Sequence, residues 1–215
     1  SPERYMEAYH CEAEHVYAVT LSGNLSGSYN SAVLGKNLYH EEHGDKKIHV
    51  FDSCSASVGE TLIALKIEEC EKAGMSFEEI VETVTAYREA QNTYFVLETL
   101  EVLRKNGRLS NLKAFVANAL NIKPYMGATP VGQIIQLGQT RGINRAVLKM
   151  IDTLVDEVKN PEGKLVAISH CNCPARAEMA KNEILKRISV KDVIILDTKG
   201  ISSMYASDGG IIIVV

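Results

Sequence analysis

The sequence predicts an α/β protein with mostly parallel sheets, and two observations support this prediction. Short apolar segments alternate with longer amphipathic ones, which is the rhythm of repeated strand–helix units. In addition, the segments KLVAIS (164–169) and DVIIL (192–196) are apolar without alternating polar positions. That pattern indicates strands covered on both faces, as happens when right-handed crossovers place helices on each side of a parallel sheet.

The same periodicity places the individual elements. We predict strands at 15–20, 47–51, 93–97, 121–126, 133–139, 164–169, 192–196 and 210–215. We predict helices at 3–12, 28–42, 57–73, 76–91, 99–105, 110–119, 142–158 and 174–188. The rhythm changes at NIKPYMGATPVGQIIQLGQTRG, where two strands follow each other across a Gly/Pro-rich turn. The change predicts two α/β domains, an N-terminal domain at 1–118 and a C-terminal domain at 119–215.

Composition excludes several classes of function. The chain has 215 residues, 46% of them hydrophobic and 23% charged, which is typical of a soluble globular protein. A net charge of −4 and the lack of a Lys/Arg-rich run argue against binding to nucleic acid. No apolar run is long enough to span a bilayer. Five cysteines without framework spacing favour a reducing compartment, so we expect a cytoplasmic protein.

One strand-to-helix turn is unusually rich in small polar residues: LSGNLSGSYNSA, Leu21 to Ala32. It could form a phosphate cradle, but the P-loop glycines and lysine are missing. It could present a nucleophilic serine, but the G-x-S-x-G elbow is missing and periodicity places no histidine beside it. A third interpretation requires neither: hydroxyls and free helix N–H groups hold a carboxylate. The residues fit this third interpretation best.

Two other polar features have less specific interpretations. HCNC, His170 to Cys173, could supply three metal ligands, two thiols and an imidazole, but the chain has no second Cys-x-Cys pair, so we expect small residues packed at a strand end. The sequence therefore predicts neither a metal site nor a bound cofactor. Arg141, in GQTRG, closes a mainly apolar strand, and sequence alone makes it an ordinary surface residue.

Six motifs then fall into one order: SPERY, LSGNLSGSYNSA, FDSCSASVGE, TLEVLRKNGRLSN, ALNIKPYM and GQTRG. In order and spacing they resemble the DegV family of bacterial fatty-acid-binding proteins, which includes the FakB acyl carriers of fatty acid kinase. The resemblance covers the whole chain. It implies two α/β domains with one long-chain fatty acid bound between them in an apolar tunnel.

The resemblance also implies roles for individual residues. Ser26, with Gly27 and Ser28 beside it, is expected to hold the carboxylate; Arg141 belongs to the head-group region or its kinase-facing entrance. The expected partners are a long-chain fatty acid and a fatty acid kinase that makes the acyl-phosphate for phospholipid synthesis. Transient contact with a membrane fits this role, and nucleic acid does not. On this view the protein is a non-catalytic acyl carrier; the alternative is a serine-dependent acyl hydrolase or acyltransferase using Ser26 or Ser28.

The chain departs from the family pattern at both ends. It opens at what resembles the last serine of a TSQPS motif, so the first part of the N-terminal domain is expected to precede it. Near the C-terminus the family carries HTGPG, whereas this chain has YASDGG. Ala206 thus takes the place of the histidine and Ser207 that of the threonine, and we expect Ser207 to offer a hydroxyl to the head group.

Overall fold

The computed structural model describes residues 1–109 and 121–215. The helix predicted at 110–119 and the domain boundary predicted at residue 118 therefore lie outside the described residues. Contacts divide the described chain into two compact units. Unit 1 comprises 1–56, 60–90 and 130–133, and unit 2 comprises 57–59, 91–129 and 134–215.

Unit 1 contains two parallel strands, β1 (His15–Thr20) and β2 (Lys47–Asp52), paired from His15 opposite Lys47 to Thr20 opposite Asp52. Its helices are α1 (Pro2–Tyr9), α2 (Ser28–His43), most of α3 (Val58–Lys72) and α4 (Phe77–Glu89). One cluster of buried residues surrounds Phe51 and Ile63, and another surrounds Tyr9 and Ile48. Burial of these side chains fixes the helices against the two strands.

Unit 2 contains a sheet of six strands in the order β5-β4-β3-β8-β6-β7. Its elements in chain order are β3 (Thr93–Val96), α5 (Glu101–Lys105), β4 (Ile122–Ala128), β5 (Ile134–Arg141), α6 (Ile143–Glu157), β6 (Leu165–His170), α7 (Pro174–Leu185), β7 (Asp192–Asp197), α8 (Gly200–Ala206) and β8 (Ile211–Val214). A short 3₁₀ helix (Pro161–Gly163) precedes β6. The hydrophobic core of unit 2 consists of buried side chains from α6, α7 and the central strands.

The α/β class is confirmed, and the prediction of mostly parallel sheets holds for β1–β2 and β6–β7 only. The larger sheet is mixed, because β8 lies between β3 and β6 and runs antiparallel to both, and β3, β4 and β5 are antiparallel neighbours. All four residues of β8 are buried. An uninterrupted apolar pattern therefore indicates that a strand is buried on both faces. It does not indicate whether the neighbouring strands are parallel or antiparallel.

The predicted strands are confirmed to within two residues, and so are most ends of the predicted helices in the described ranges. Two short elements were missed, α8 (GISSMYA) and the 3₁₀ helix. Seven residues are too few to show a helical period, and two serines interrupt the apolar pattern of α8. In the described part of the chain, no helix has the length and apolarity needed to cross a membrane.

Gly35 allows α1 to pack closely against α2, which begins at Ser28, the last residue of LSGNLSGS (21–28, here called the serine turn). A Cβ at Gly35 would lie 2.6 Å from the carbonyl oxygen of Pro2 and 2.7 Å from the Cβ of Tyr5. We expect Gly35→Ala to lower the free energy of unfolding by about 1–3 kcal/mol, since backbone atoms must move to relieve the overlap. Urea denaturation of the variant and the parent measures this difference in the free energy of unfolding. Gly163→Ala is the control, because no atom lies within 4 Å of its added Cβ; equal stability of the two variants would contradict the prediction.

Candidate functional site

The parallel pairing of β1 and β2 brings two polar loops to the same edge of their sheet. Thr20 ends β1 opposite Asp52, which ends β2, so the loops that follow start side by side. The Asp52 carboxylate joins them: its Oδ1 accepts hydrogen bonds from the backbone N–H of Gly23 (3.0 Å) and of Cys54 (2.9 Å). A Cβ on Gly23 would lie 2.8 Å from Asp52 Oδ2, so the serine turn needs glycine here to approach the carboxylate.

Ser22 and Asn24 fix the serine turn to residues 130–133, which belong to the same unit. The Ser22 hydroxyl donates to the carbonyl of Gly132 (2.9 Å) and accepts from the N–H of Asn24 (3.3 Å). The Asn24 side chain donates to the carbonyl of Val131 (2.6 Å). Ser22 is fully buried. Sequence reasoning did not assign this role to Ser22, because its partner lies 110 residues away in the chain.

Ser26, Gly27 and Ser28 lie together where the turn becomes α2. Ser26 Oγ accepts a hydrogen bond from the N–H of Ser28 (3.2 Å), so its own proton is still available to an acceptor. Gly27 is the N-cap of α2, and no acidic residue occupies the first turn of that helix. The Ser28 hydroxyl is buried and has no hydrogen-bond partner among the described residues. Two hydroxyl donors at the positive end of a 16-residue helix form a site suited to an anion.

The serines of the second polar loop, which follows β2, form hydrogen bonds within unit 1. The hydroxyl of Ser53 donates to the carbonyl of Ser55 (3.1 Å) and accepts from its N–H (3.1 Å). The Ser55 carbonyl also accepts from the N–H of Ser22 (2.9 Å). Both serines are buried. This loop therefore supports the serine turn, and the hydroxyl of Ser53 is already committed to the loop itself.

Arg141 and Ser207 belong to unit 2. Arg141 is the last residue of β5, opposite Ile122 of β4, and its side chain is exposed. Ser207 follows α8 with a positive φ of 56° and is half-buried. Its N–H donates to the carbonyl of Ser203 (3.0 Å), and its carbonyl accepts from the N–H of Gly210 (3.1 Å). Ala206, which the resemblance is expected to set at the family's histidine, is buried with 2% of its surface exposed.

The HCNC segment is bound into the start of α7. His170 is buried at the end of β6, and its Nδ1 accepts a hydrogen bond from the N–H of Cys173 (3.2 Å), the N-cap of α7. Burial raises the pKa of the Cys173 thiol, which keeps it protonated at neutral pH. The described ranges contain no group of three His, Cys, Asp or Glu side chains placed to hold a metal ion.

Comparison with known proteins gives a consistent result. A family model with the description "Uncharacterised protein, DegV family" matches residues 1–215. A DegV domain-containing protein of Streptococcus pneumoniae is 38% identical over 212 residues, which are 99% of this chain and 74% of that protein.

Solved structures extend the comparison. A DegV family protein from Ruminococcus gnavus, refined with vaccenic acid, is 61% identical with a TM-score of 0.97, covering 100% of this chain and 77% of that one. The Streptococcus pneumoniae fatty acid kinase (Fak) B3 protein loaded with linoleic acid is 37% identical with a TM-score of 0.89, covering 100% of this chain and 75% of that one.

Removing the Ser22 hydroxyl should destabilise the protein. Ser22→Ala leaves the buried carbonyl of Gly132 without its hydrogen-bond donor and the N–H of Asn24 without its acceptor. We expect the free energy of unfolding to fall by about 1–3 kcal/mol. The control is Ser31→Ala, three residues into α2, which should stay within about 0.5 kcal/mol of the parent. Urea denaturation of both variants tests the prediction, and a Ser22→Ala protein as stable as the control would refute the structural role.

Proposed function

The chain belongs to the DegV family, and we propose that it binds one long-chain fatty acid with the carboxylate at Ser26, Gly27 and Ser28. The observation that supports this most is the buried hydroxyl of Ser28, which has no partner among the described residues. A buried hydroxyl without a hydrogen bond is costly and uncommon. A ligand oxygen would satisfy it. Structural relatives at 61% and 37% identity were solved with vaccenic and linoleic acid.

The proposed ligand has two physical requirements. Its acyl chain gains about 0.8 kcal/mol per methylene on leaving water, which calls for an apolar tunnel. Its carboxylate must exchange water for several donors, since an unpaired buried charge is prohibitively costly. The hydroxyls of Ser26 and Ser28 and the N-terminal end of α2 meet the second requirement without a bulky side chain. From the family resemblance we also propose head-group roles for Ser207, as a hydroxyl donor, and for Arg141, at the entrance.

We further propose that the protein is an acyl carrier in the cytoplasm, presenting the carboxylate to a fatty acid kinase without catalysing a reaction itself. The relative solved with linoleic acid is a fatty acid kinase B protein. The alternative, an acyl hydrolase, would need a base beside the serine. In the part of the chain that the structure describes, the hydroxyls of Ser26 and Ser28 are hydrogen-bonded to neither a histidine nor a carboxylate.

Ser26→Ala should weaken fatty acid binding without abolishing it. The substitution removes one hydrogen bond to a charged group, worth about 1.5–3 kcal/mol, so affinity should fall roughly ten- to hundredfold while the buried tail retains residual binding. Titration of delipidated protein with vaccenic acid measures the dissociation constant. Ser31→Ala, in the same helix, is the control and should bind like the parent.

Two results would count against the assignment. Ser26→Ala with the parent's affinity would remove Ser26 from the carboxylate site. Protein that contains no lipid on solvent extraction and takes up no fatty acid would refute the proposed function altogether. Steady turnover of acyl esters that Ser26→Ala abolishes would favour the hydrolase.

Arg141→Ala should separate binding from presentation. Because the Arg141 side chain is exposed at the end of β5, its charge should act on an approaching partner more than on a buried ligand. We expect vaccenic acid to be retained and acyl-phosphate formation with the cognate kinase to slow by about tenfold. Arg187→Ala controls for loss of positive charge and should keep the parent's rate. If Arg141→Ala loses the lipid itself, Arg141 contacts the carboxylate directly.

A further inference from the structure

Asp52 ends β2 and contacts the serine turn at Gly23. Its Oδ1 accepts a hydrogen bond from the N–H of Gly23 (3.0 Å) and a second one from the N–H of Cys54 (2.9 Å). The contact is close, since a Cβ on Gly23 would lie 2.8 Å from Oδ2 of the same carboxylate. Hydrogen bonds to an ionised acceptor are stronger than those between neutral groups. The carboxylate therefore fixes the position of Gly23.

Only a short, internally bonded stretch separates Gly23 from the donors proposed for the ligand. The carbonyl of Ser22 accepts hydrogen bonds from the N–H of Leu25 (2.9 Å) and of Ser26 (3.0 Å). Ser26 Oγ in turn accepts from the N–H of Ser28 (3.2 Å). A shift of Gly23 must therefore move the Ser26 hydroxyl or break one of these bonds.

The charges around Asp52 show what it can contribute to a bound anion. Arg88 of α4 donates from Nη1 to Sγ of Cys54 (3.5 Å), and its Nη2 lies 3.7 Å from Oε1 of Glu89. Burial and the charge of Asp52 raise the pKa of the Cys54 thiol, and Arg88 acts in the opposite sense. A carboxylate repels an anionic head group. Any gain in affinity that Asp52 provides must therefore come from where it places the donors.

We propose that Asp52 is a positioning residue, which holds Gly23 so that the hydroxyls of Ser26 and Ser28 meet the fatty acid carboxylate. All four residues belong to unit 1. The inference rests on the proposed function and deepens it, because it assigns head-group recognition in part to a residue whose Oδ1 is bonded to the backbone of two loops.

The test compares vaccenic acid with its methyl ester, two ligands that differ only in the head group, on delipidated protein. In Asp52→Ala, affinity for the acid should fall by about tenfold, because the donors are no longer held in place. Affinity for the ester should stay within about threefold, since hydrogen bonds to its neutral carbonyl are weaker. The direction is informative: removal of a nearby negative charge would by itself tighten binding of the acid.

Two further variants examine the same contact. Gly23→Ala disturbs it from the side of the turn while the carboxylate is kept, because the added Cβ lies 2.8 Å from Oδ2 of Asp52. It should show an acid-specific loss like that of Asp52→Ala, and it decides the question if Asp52→Ala does not fold. Asp52→Asn retains an oxygen that accepts from both N–H groups. It should therefore keep the parent's affinity for the acid to within about threefold.

Glu71→Ala is the matched control. Glu71 also lies in unit 1, and one of its oxygens also has two partners: Oε1 accepts from the hydroxyl of Tyr17 (2.8 Å) and lies 2.7 Å from Nδ1 of His15. Both partners belong to β1 and neither to the serine turn. We expect this variant to lower the melting temperature while leaving the ratio of acid to ester affinity unchanged.

The outcomes separate the possible explanations. An acid-specific loss in Asp52→Ala and Gly23→Ala, with affinity retained in Asp52→Asn and an unchanged ratio in Glu71→Ala, supports the positioning role. Equal losses for acid and ester, an unchanged ratio in the folded variants, or tighter binding of the acid would overturn it while leaving fatty acid binding intact. If the parent protein bound neither ligand, the proposed function itself would fail.

Discussion

The serine turn depends on the Asp52 carboxylate, which accepts one hydrogen bond from each of two loops. Those loops are close only because β1 and β2 are parallel and in a register that ends both strands together. With Asp52 holding Gly23 and Cys54, the first loop can rest on the second through the bond from Ser22 to Ser55. Donors placed in advance need little reorganisation when an anion binds, so this constraint suits the serine turn to the carboxylate site that we propose for it.

Five residues of LSGNLSGSYNSA form two groups by what they contact: Ser22, Gly23 and Asn24 in one, and Ser26 and Ser28 in the other. The side chains of Ser22 and Asn24 donate hydrogen bonds to the backbone carbonyls of residues 131 and 132. Gly23 has no side chain that would collide with the carboxylate of Asp52. Ser26 and Ser28 keep hydroxyl protons that no described residue accepts. One N-cap requires a single side chain. The turn has more small polar residues than one N-cap needs because some of them form the hydrogen bonds that stabilise it and others are the donors that we propose for the ligand.

Much of this could be predicted from the sequence, for identifiable reasons. Strand and helix positions follow from hydrophobic period, and the serine turn is conspicuous by its composition next to a helix start. The choice of Ser26 and Ser28 within that turn rests on the family resemblance. The direction of β8 could not be predicted, because a buried strand looks the same in parallel and antiparallel pairings. The role of Ser22 also could not be predicted, since its partner Gly132 lies 110 residues away in the chain and the local pattern carries no signal of it.

The absence of lysine and arginine from the serine turn bears on the proposed chemistry. For an acyl-phosphate to form, a carboxylate oxygen must attack the phosphorus of a phosphoryl donor while the P–O bond to the donor's leaving group breaks, so that oxygen has to keep its electron density. A bidentate arginine contact would bind both carboxylate oxygens strongly and draw on their lone pairs. Neutral hydroxyls and a helix N-terminus interact with the carboxylate more weakly than an arginine would. The affinity lost in this way is offset by burial of the acyl chain in the proposed complex. A hydroxyl-lined site therefore suits the carrier that we propose, whose ligand must later react.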